Sequence, residues 1–325
     1  MTRWRQRIGA ERLETLLADT LAIAQDSGAA KPSAMERVIV DTTVQTKAVA
    51  YPTDGHLMLR AVERLGALAR RQGLALRQSF VRVARHARRE AARLLHGRGH
   101  KQGMPHLRRL RTFLGRIIRD VARKIAGDPV REAAFAEPLA RAERIRDQRP
   151  GDAGKLYAFH APEVECTARG TARARYEFGV KTSFAVTNAR GAGGQFVLGA
   201  RTLPGNSYDG HSLAGQLDQV ARITGRPVRR AYVDRGYRGH ALKRDGLEVV
   251  VSHSRGVVSP TIRREMRRRN SIEPVLGHMK AHGLLERNRL LGPEGDAVNV
   301  STPSSAPSAT TAACCWPGSG ASWRA

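Results

Sequence analysis

The sequence predicts an α/β fold: a sheet with helices packed on it, interrupted by a long basic helical insertion between its first two strands. Three observations carry this. Short β-branched or alternating apolar runs appear at residues 38–45, 178–186, 196–203, 227–234 and 247–253, the lengths and compositions of strands. Between and after them, apolar residues recur at helical spacing. The basic residues are also concentrated rather than spread: from Arg60 to Lys124, 19 Lys or Arg face only Glu63, Glu90 and Asp120.

Residues 3–24 carry Leu13, Leu16, Leu17, Leu21 and Ile23 at roughly helical spacing and predict one or two helices, ended by Lys31, Pro32 and Ser33. The run "VIVD" follows, a strand buried on both faces with Asp41 at its end. The next segment is helical and arginine-rich. Its clearest stretch sets Leu107, Leu110, Leu114, Ile117, Ile118, Val121 and Ile125 on one stripe, with Arg108, Arg111, Arg116, Arg119 and Arg123 off it. After Pro150 the period changes to two. Phe178, Val180, Thr182, Phe184 and Val186 predict a half-buried strand, paired as a hairpin with Phe196 to Leu203. "NSYDGHSLAGQLDQVARI" predicts a helix, with Asp209 as its capping residue. "PVRRAYVD" and "LEVVVSH" are further strands, and a last helix carries Ile272, Val275, Leu276 and Met279 with Glu273 just inside it. Pro274 disfavours helical geometry at Glu273, so the helix kinks or restarts there.

The organisation this predicts is a helical N-terminal segment over 1–30, a core made of 31–55 and 151–300, the basic insertion over 56–150, and a disordered tail over 301–325. The 325 residues carry 56 Lys plus Arg against 29 acids, a net charge of +27. That excess points to a polyanionic partner. Cys166, Cys314 and Cys315 have neither a disulfide framework nor metal-ligand spacing, and no run is long and apolar enough to span a membrane. The expectation is a soluble cytoplasmic protein.

Three acids stand out. Asp41 and Asp234 each end a strand, where α/β sheets collect their active groups. Glu273 lies on the last helix. Three converging carboxylates either raise a pKa or need a cation, and hard oxygen donors without thiolates suit Mg²⁺ or Mn²⁺. Two such ions, clamping the attacking and leaving oxygens of a phosphoryl group, are a known arrangement for nucleic-acid backbones. Arg269 lies four residues before Glu273 and Lys280 seven after it, so all three can share a helix face. Arg269 and Lys280 are then candidates to hold DNA phosphates, the plainer alternative being an intrahelical Arg269–Glu273 ion pair. Tyr237 and Arg238, just after Asp234, are in place to touch DNA. Asp54 reads as a turn residue, and His278 with His282 lacks the glutamate of a zinc HExxH helix.

The segments "VIVDTTVQTKAVAYPTDGHLM", "LYAFHAPEVEC", "YEFGVKTSFAVT", "LPGNSYDGHSL", "YVDRGYRGH" and "RRNSIEPVLGHMK" occur in that order. Together they resemble a bacterial insertion-sequence transposase of the DDE class, in the family-5 branch of the family-4/5 group, from about Trp4 to Val300. The resemblance implies a ribonuclease-H-like core whose first and fourth strands lie side by side and bring Asp41 and Asp234 together. It also implies catalytic and metal-binding roles for Asp41, Asp234 and Glu273, as the ligands of two Mg²⁺ or Mn²⁺ ions. The wider group's signature of Tyr, Arg, Glu and Lys is matched by Arg269, Glu273 and Lys280, with Met266 at the tyrosine position.

The partners implied are double-stranded DNA, both element ends and target, and further copies of the chain on DNA. The place implied is the bacterial nucleoid. Relative to the family, residues 301–325 read as a frameshift after about Val300, and the N-terminal helical region is short. Two rivals share the same residues: a non-catalytic basic DNA-binding remnant that inhibits an intact transposase, and another ribonuclease-H-like nuclease such as a resolvase.

Overall fold

The computed structural model describes residues 2–95, 100–168, 175–189, 194–252, 259–283 and 285–305. The tail expected over 301–325, with Cys314 and Cys315, lies beyond the described residues after position 305. In chain order the elements are α1 (Thr2–Asp26), β1 (Arg37–Thr46), α2 (Asp54–Arg71), α3 (Val81–Leu95), α4 (His100–Ile125) and α5 (Pro129–Asp147), then β2 (Glu165–Ala168), β3 (Tyr176–Thr187), β4 (Val197–Leu203), α6 (Asp209–Thr224), β5 (Arg230–Val233), β6 (Glu248–Val251), α7 (Pro260–Arg267), α8 (Ile272–Ala281) and α9 (Gly292–Ser305). They form two compact units, one of Met1–Ala48 with Cys166–Ala325 and one of Val49–Glu165.

The first unit is a mixed α/β assembly. Its sheet has the order β2-β3-β1-β5-β6, with β4 also paired to β3. β1 pairs antiparallel with β3 and parallel with β5, and β5 continues parallel to β6. Alternation along β1 sorts the core: Val38 and Val40 join Leu17, Leu21, Leu213 and Leu217 on one face, while Ile39 joins Phe184, Ile272 and Met279 on the other. Burying each of these β1 side chains contributes about 2 kcal/mol. Helices on both faces also correct the expectation for β3. It is half-buried only near its start; from Val180 on, Thr182, Ser183 and Ala185 are as buried as Phe184 and Val186. Gly179 is obligatory on this strand, because a Cβ there would overlap the Gln45 backbone.

The far end of β1 is held by polar contacts. Lys47 Nζ lies 2.7 Å from Asp296 Oδ1, both side chains 2% exposed. Gln45 donates to the Asp296 carbonyl and accepts from Asn299, while Asn288 donates to Asp296. The Thr46 carbonyl accepts from Asn288 N–H. This mutual satisfaction is what permits a lysine and an aspartate to be buried at all. It also explains why Gly292–Ser305, with little apolar periodicity, is helical: Asp296 and Asn299 are fixed by β1, and Val298 and Val300 are buried.

The second unit packs α2, α3, α4 and α5 around Val62, Leu65, Leu110, Leu114, Ile117 and Phe135. Thr53 caps α2 and Asp128 caps α5 through side-chain acceptors. Asp54, expected in a turn, is the first helical residue of α2. On α4 the stripe from Leu110 to Ile125 is buried and Arg108, Arg111, Arg116, Arg119 and Arg123 are exposed. Among the described residues no helix is long and apolar enough to cross a membrane.

One buried acid ties α7 to the sheet. Glu265, 3% exposed, accepts from Arg37 at 2.7 Å, from Arg230 at 3.0 Å and from the Tyr232 hydroxyl. Burial by itself would raise its pKa, but the bonds from Tyr232, Arg230 and Arg37 outweigh it and hold the carboxyl below its ordinary value of 4.5. A lowered native pKa stabilises the fold fully above that value and stops doing so as the pH falls through the native one. Glu265→Gln is therefore expected to cost about 2 kcal/mol at neutral pH, less than a fully buried pair because Arg37 and Arg230 reach water. Urea melts should show the gap between variant and parent closing below about pH 4. An unchanged gap would show that the charge on Glu265 is not what matters.

Candidate functional site

The site begins where the sheet loses a strand. β5 accompanies β1 only from Arg37 to Ile39, whereas β3 follows it to Thr46. Between Ile39 and Thr46, where Asn288 takes over, one edge of β1 has no strand partner, and Asp41 lies in that gap. Asp41 is therefore in the middle of a ten-residue strand, not at its end as the sequence predicts; the end that matters is that of its neighbour. Asp234 comes directly after β5 and starts a 3₁₀ turn, its Oδ1 accepting Gly236 N–H at 2.8 Å. Glu273 is the second residue of α8, which packs on the Ile39 face. Asp41, Asp234 and Glu273 line one open pocket of about 650 Å³, together with Lys280, Lys181 and Asp209.

Asp209 is the residue that sequence reasoning misplaces. It is the first residue of α6, whose N-cap is Tyr208, and no side chain caps the helix. Its Oδ1 instead accepts from Thr42 Oγ1 at 3.2 Å and from Lys181 Nζ at 3.1 Å. A Cβ on Gly236 would stand 3.0 Å from Asp234 Oδ1 and 3.1 Å from Asp209 Oδ2, so glycine lets these two carboxylates approach one another. Lys181, also missed, gives one signal in the sequence: it is a lone charge inside the apolar alternation of β3.

The basic residues are engaged differently from expectation. The chain between α7 and α8 is a 3₁₀ turn, Arg268–Ser271, so Arg269 and Glu273 do not share a continuous α-helix. Pro274 falls in the first turn of α8, where its missing N–H costs nothing. The intrahelical pair does not form. Arg269 Nη1 lies 3.4 Å from Asp41 Oδ2, and Lys280 Nζ lies 3.3 Å from Glu177 Oε1. Tyr237 is fully buried and cannot be the surface contact expected of it, while Arg238 is exposed. His278 and His282 stack on each other, ring centroids 5.5 Å apart.

Electrostatics mark Asp41 out. Its pKa is raised to about 6, chiefly by burial with Asp234 and Asp209 adding to the rise, against the Thr42 N–H and Arg269, which lower it. The Tyr237 phenol is likewise raised, by burial first and then by Asp209, Asp41 and Asp234. Five carboxylates here, Asp41, Asp234, Asp209, Glu273 and Glu177, meet three cations, Arg269, Lys181 and Lys280. That oxygen-only, net-negative donor set fits Mg²⁺ or Mn²⁺. Among the described residues no three His, Cys, Asp or Glu stand close enough to enclose an ion by themselves. An ion placed here would have to complete its shell with water or substrate oxygens.

The fold and pocket define a mixed α/β protein with a carboxylate-lined crevice. Among known proteins, the chain is similar to "Uncharacterized protein ORF8 in nfe locus" of Rhizobium meliloti, 48% identical over 98 residues. The match covers 30% of this chain and 47% of the relative, so the chain spans about half the length of the curated relative it matches. No family model and no solved structure matches.

The Tyr237 hydroxyl and that of Ser183 are both buried without a hydrogen bond of full geometry. Removing an unsatisfied buried hydroxyl is neutral or favourable. Tyr237→Phe should unfold at the same urea concentration as the parent or a higher one; destabilisation by more than about 1 kcal/mol would mean that the hydroxyl is bonded in solution.

Proposed function

We propose that this chain is a DDE-class DNA transposase of the insertion-sequence family-5 type, built on a ribonuclease-H-like core. The observation that carries the reading is the meeting of Asp41, Asp234 and Glu273 at one pocket from a strand, a strand end and a helix far apart in the chain. The strand order supports it too: β5, the fifth strand of the structure and the fourth that the sequence predicts, lies parallel beside β1, the pairing that the resemblance implies. Net charge and the arginine-rich second unit favour a polyanionic substrate.

Asp41, Asp234 and Glu273 would hold one or two Mg²⁺ or Mn²⁺ ions, which when bound supply Lewis-acid stabilisation of the phosphoryl oxygens. The chain's own part is positional. Thr42 N–H and Arg269 fix the two oxygens of Asp41, and Gly236 N–H fixes Asp234. Lys181 and Thr42 hold Asp209 against the site, and Lys280 offers a cation at its mouth. In the proposed reaction one water is consumed and one phosphodiester becomes a 3′-hydroxyl and a 5′-phosphate. In strand transfer that hydroxyl takes the place of water and attacks a phosphodiester of target DNA, joining to the 5′-phosphate and releasing the target strand's own 3′-hydroxyl, so no protein side chain need become covalently bound. Self-association on DNA and a nucleoid location belong to the same proposal.

Incubation with duplex DNA bearing the element ends should give Mg²⁺- or Mn²⁺-dependent nicks with 3′-hydroxyls, reduced at least ~100-fold by Asp234→Asn. Cleavage undiminished in that variant would reject the assignment. Binding without cleavage at any metal concentration would favour the inhibitory DNA-binding reading.

A further inference from the structure

The second unit carries a feature that a solvated basic face does not need. Phe80 and Phe113 stack with centroids 5.2 Å apart and planes 17° from parallel. Arg116 lies over the Phe80 ring at 5.9 Å and Arg109 over Phe113 at 6.0 Å. A guanidinium held over a ring loses less freedom on binding than a free one and keeps N–H groups for a phosphate acceptor. Arg109, Arg116 and Arg123 recur every seven residues of α4, so they fall in a row with about 10 Å between neighbours, and Arg119 stands beside them.

The segment opposite α4 is built to complete a cleft. Phe80 has φ +56°, a left-handed backbone that a bulky side chain adopts only under constraint. The constraint is visible: Asp120 accepts Arg77 N–H at 2.8 Å, and Lys124 donates to the Ala75 carbonyl. The cleft, about 370 Å³, is lined by Arg77, Phe80, Arg116, Arg119 and Arg123, with Asp120 its one carboxylate. Asp120 is already engaged by Arg77 N–H, Arg123 and Lys124. Among the described residues Arg116 and Arg119 pair with no acid.

We infer that this cleft is a nucleic-acid phosphate clamp, in which Arg116, positioned over the stacked Phe80, and Arg119 beside it grip the backbone of duplex DNA. The inference rests on the DNA reading above and locates where the second unit engages that substrate. Duplex DNA is favoured over a lipid surface because the lining of the cleft is charged or polar apart from Phe80, which offers acyl chains little to bury against.

The test is fluorescence anisotropy of the full chain in EDTA with a labelled duplex of about 30 base pairs, titrated across salt. EDTA separates binding from cleavage. Arg116→Ala/Arg119→Ala should weaken binding about tenfold and reduce the slope of log K against log salt by nearly two, as expected for two lost phosphate contacts. Arg116→Lys/Arg119→Lys should recover the slope but only part of the affinity. Phe80→Leu, which keeps every charge, should weaken binding a few-fold at an unchanged slope. An alanine pair with the parent's affinity and slope would overturn the clamp, as would tighter binding to anionic lipid vesicles than to the duplex. If the parent binds no duplex, the DNA reading fails with it; if the parent binds and cleaves while the alanine pair is unaffected, the clamp alone fails.

Discussion

Everything at the candidate site depends on one mismatch in strand length. β1 has a partner along its whole course on the β3 side, but β5 leaves it after three paired residues. A strand paired on one side only has backbone and side chains available on the other, and here that stretch holds Asp41 and Thr42. Full pairing with β3 keeps the stretch rigid, while the missing length of β5 makes room. Asp234, the first residue after β5, borders that space.

The two faces of the sheet contribute opposite halves of the pocket. Because side chains alternate along β1, Asp41 shares its face with Ile39 and meets Arg269 near α8, whereas Thr42 shares its face with Val40 and meets Asp209 at the start of α6. A one-residue slip in the pairing of β1 would exchange these partners. Register is pinned beyond the site by Gly179 against Gln45 and by Lys47 buried with Asp296. The ion pair matters more for fixing β1 in place than for stability, since such pairs largely offset their own desolvation.

Much of this architecture is legible in the chain. The β-branched run at Val38–Val40 and the apolar spacing of α4, α6 and α8 announce their elements because burial and period coincide there. What stays hidden depends on neighbours distant in sequence. Asp209 reads as a capping residue, since an acid before a helical pattern looks the same whether it faces its own helix or Lys181 across a crevice. α9 has no apolar rhythm and exists through Gln45 and Lys47. Ser183 looks solvent-facing until helices cover both sides of β3. The Arg268–Ser271 turn, which redirects Arg269 from Glu273 to Asp41, is signalled by Pro274, in the first turn of the helix that restarts at Ile272, but the new partner of Arg269 is not.

Asp41 appears early in synthesis, but its companions come late. Asp209, Asp234, Arg269 and Glu273 follow only after the whole second unit, and Asp296 later still. β1 must wait for strands and helices encoded hundreds of residues downstream before its open edge means anything, a topology that folds slowly for want of local contacts. A ribosome-bound chain therefore carries its basic helices before it has an assembled carboxylate pocket. The order of translation itself keeps the site unformed until nearly the entire core has emerged.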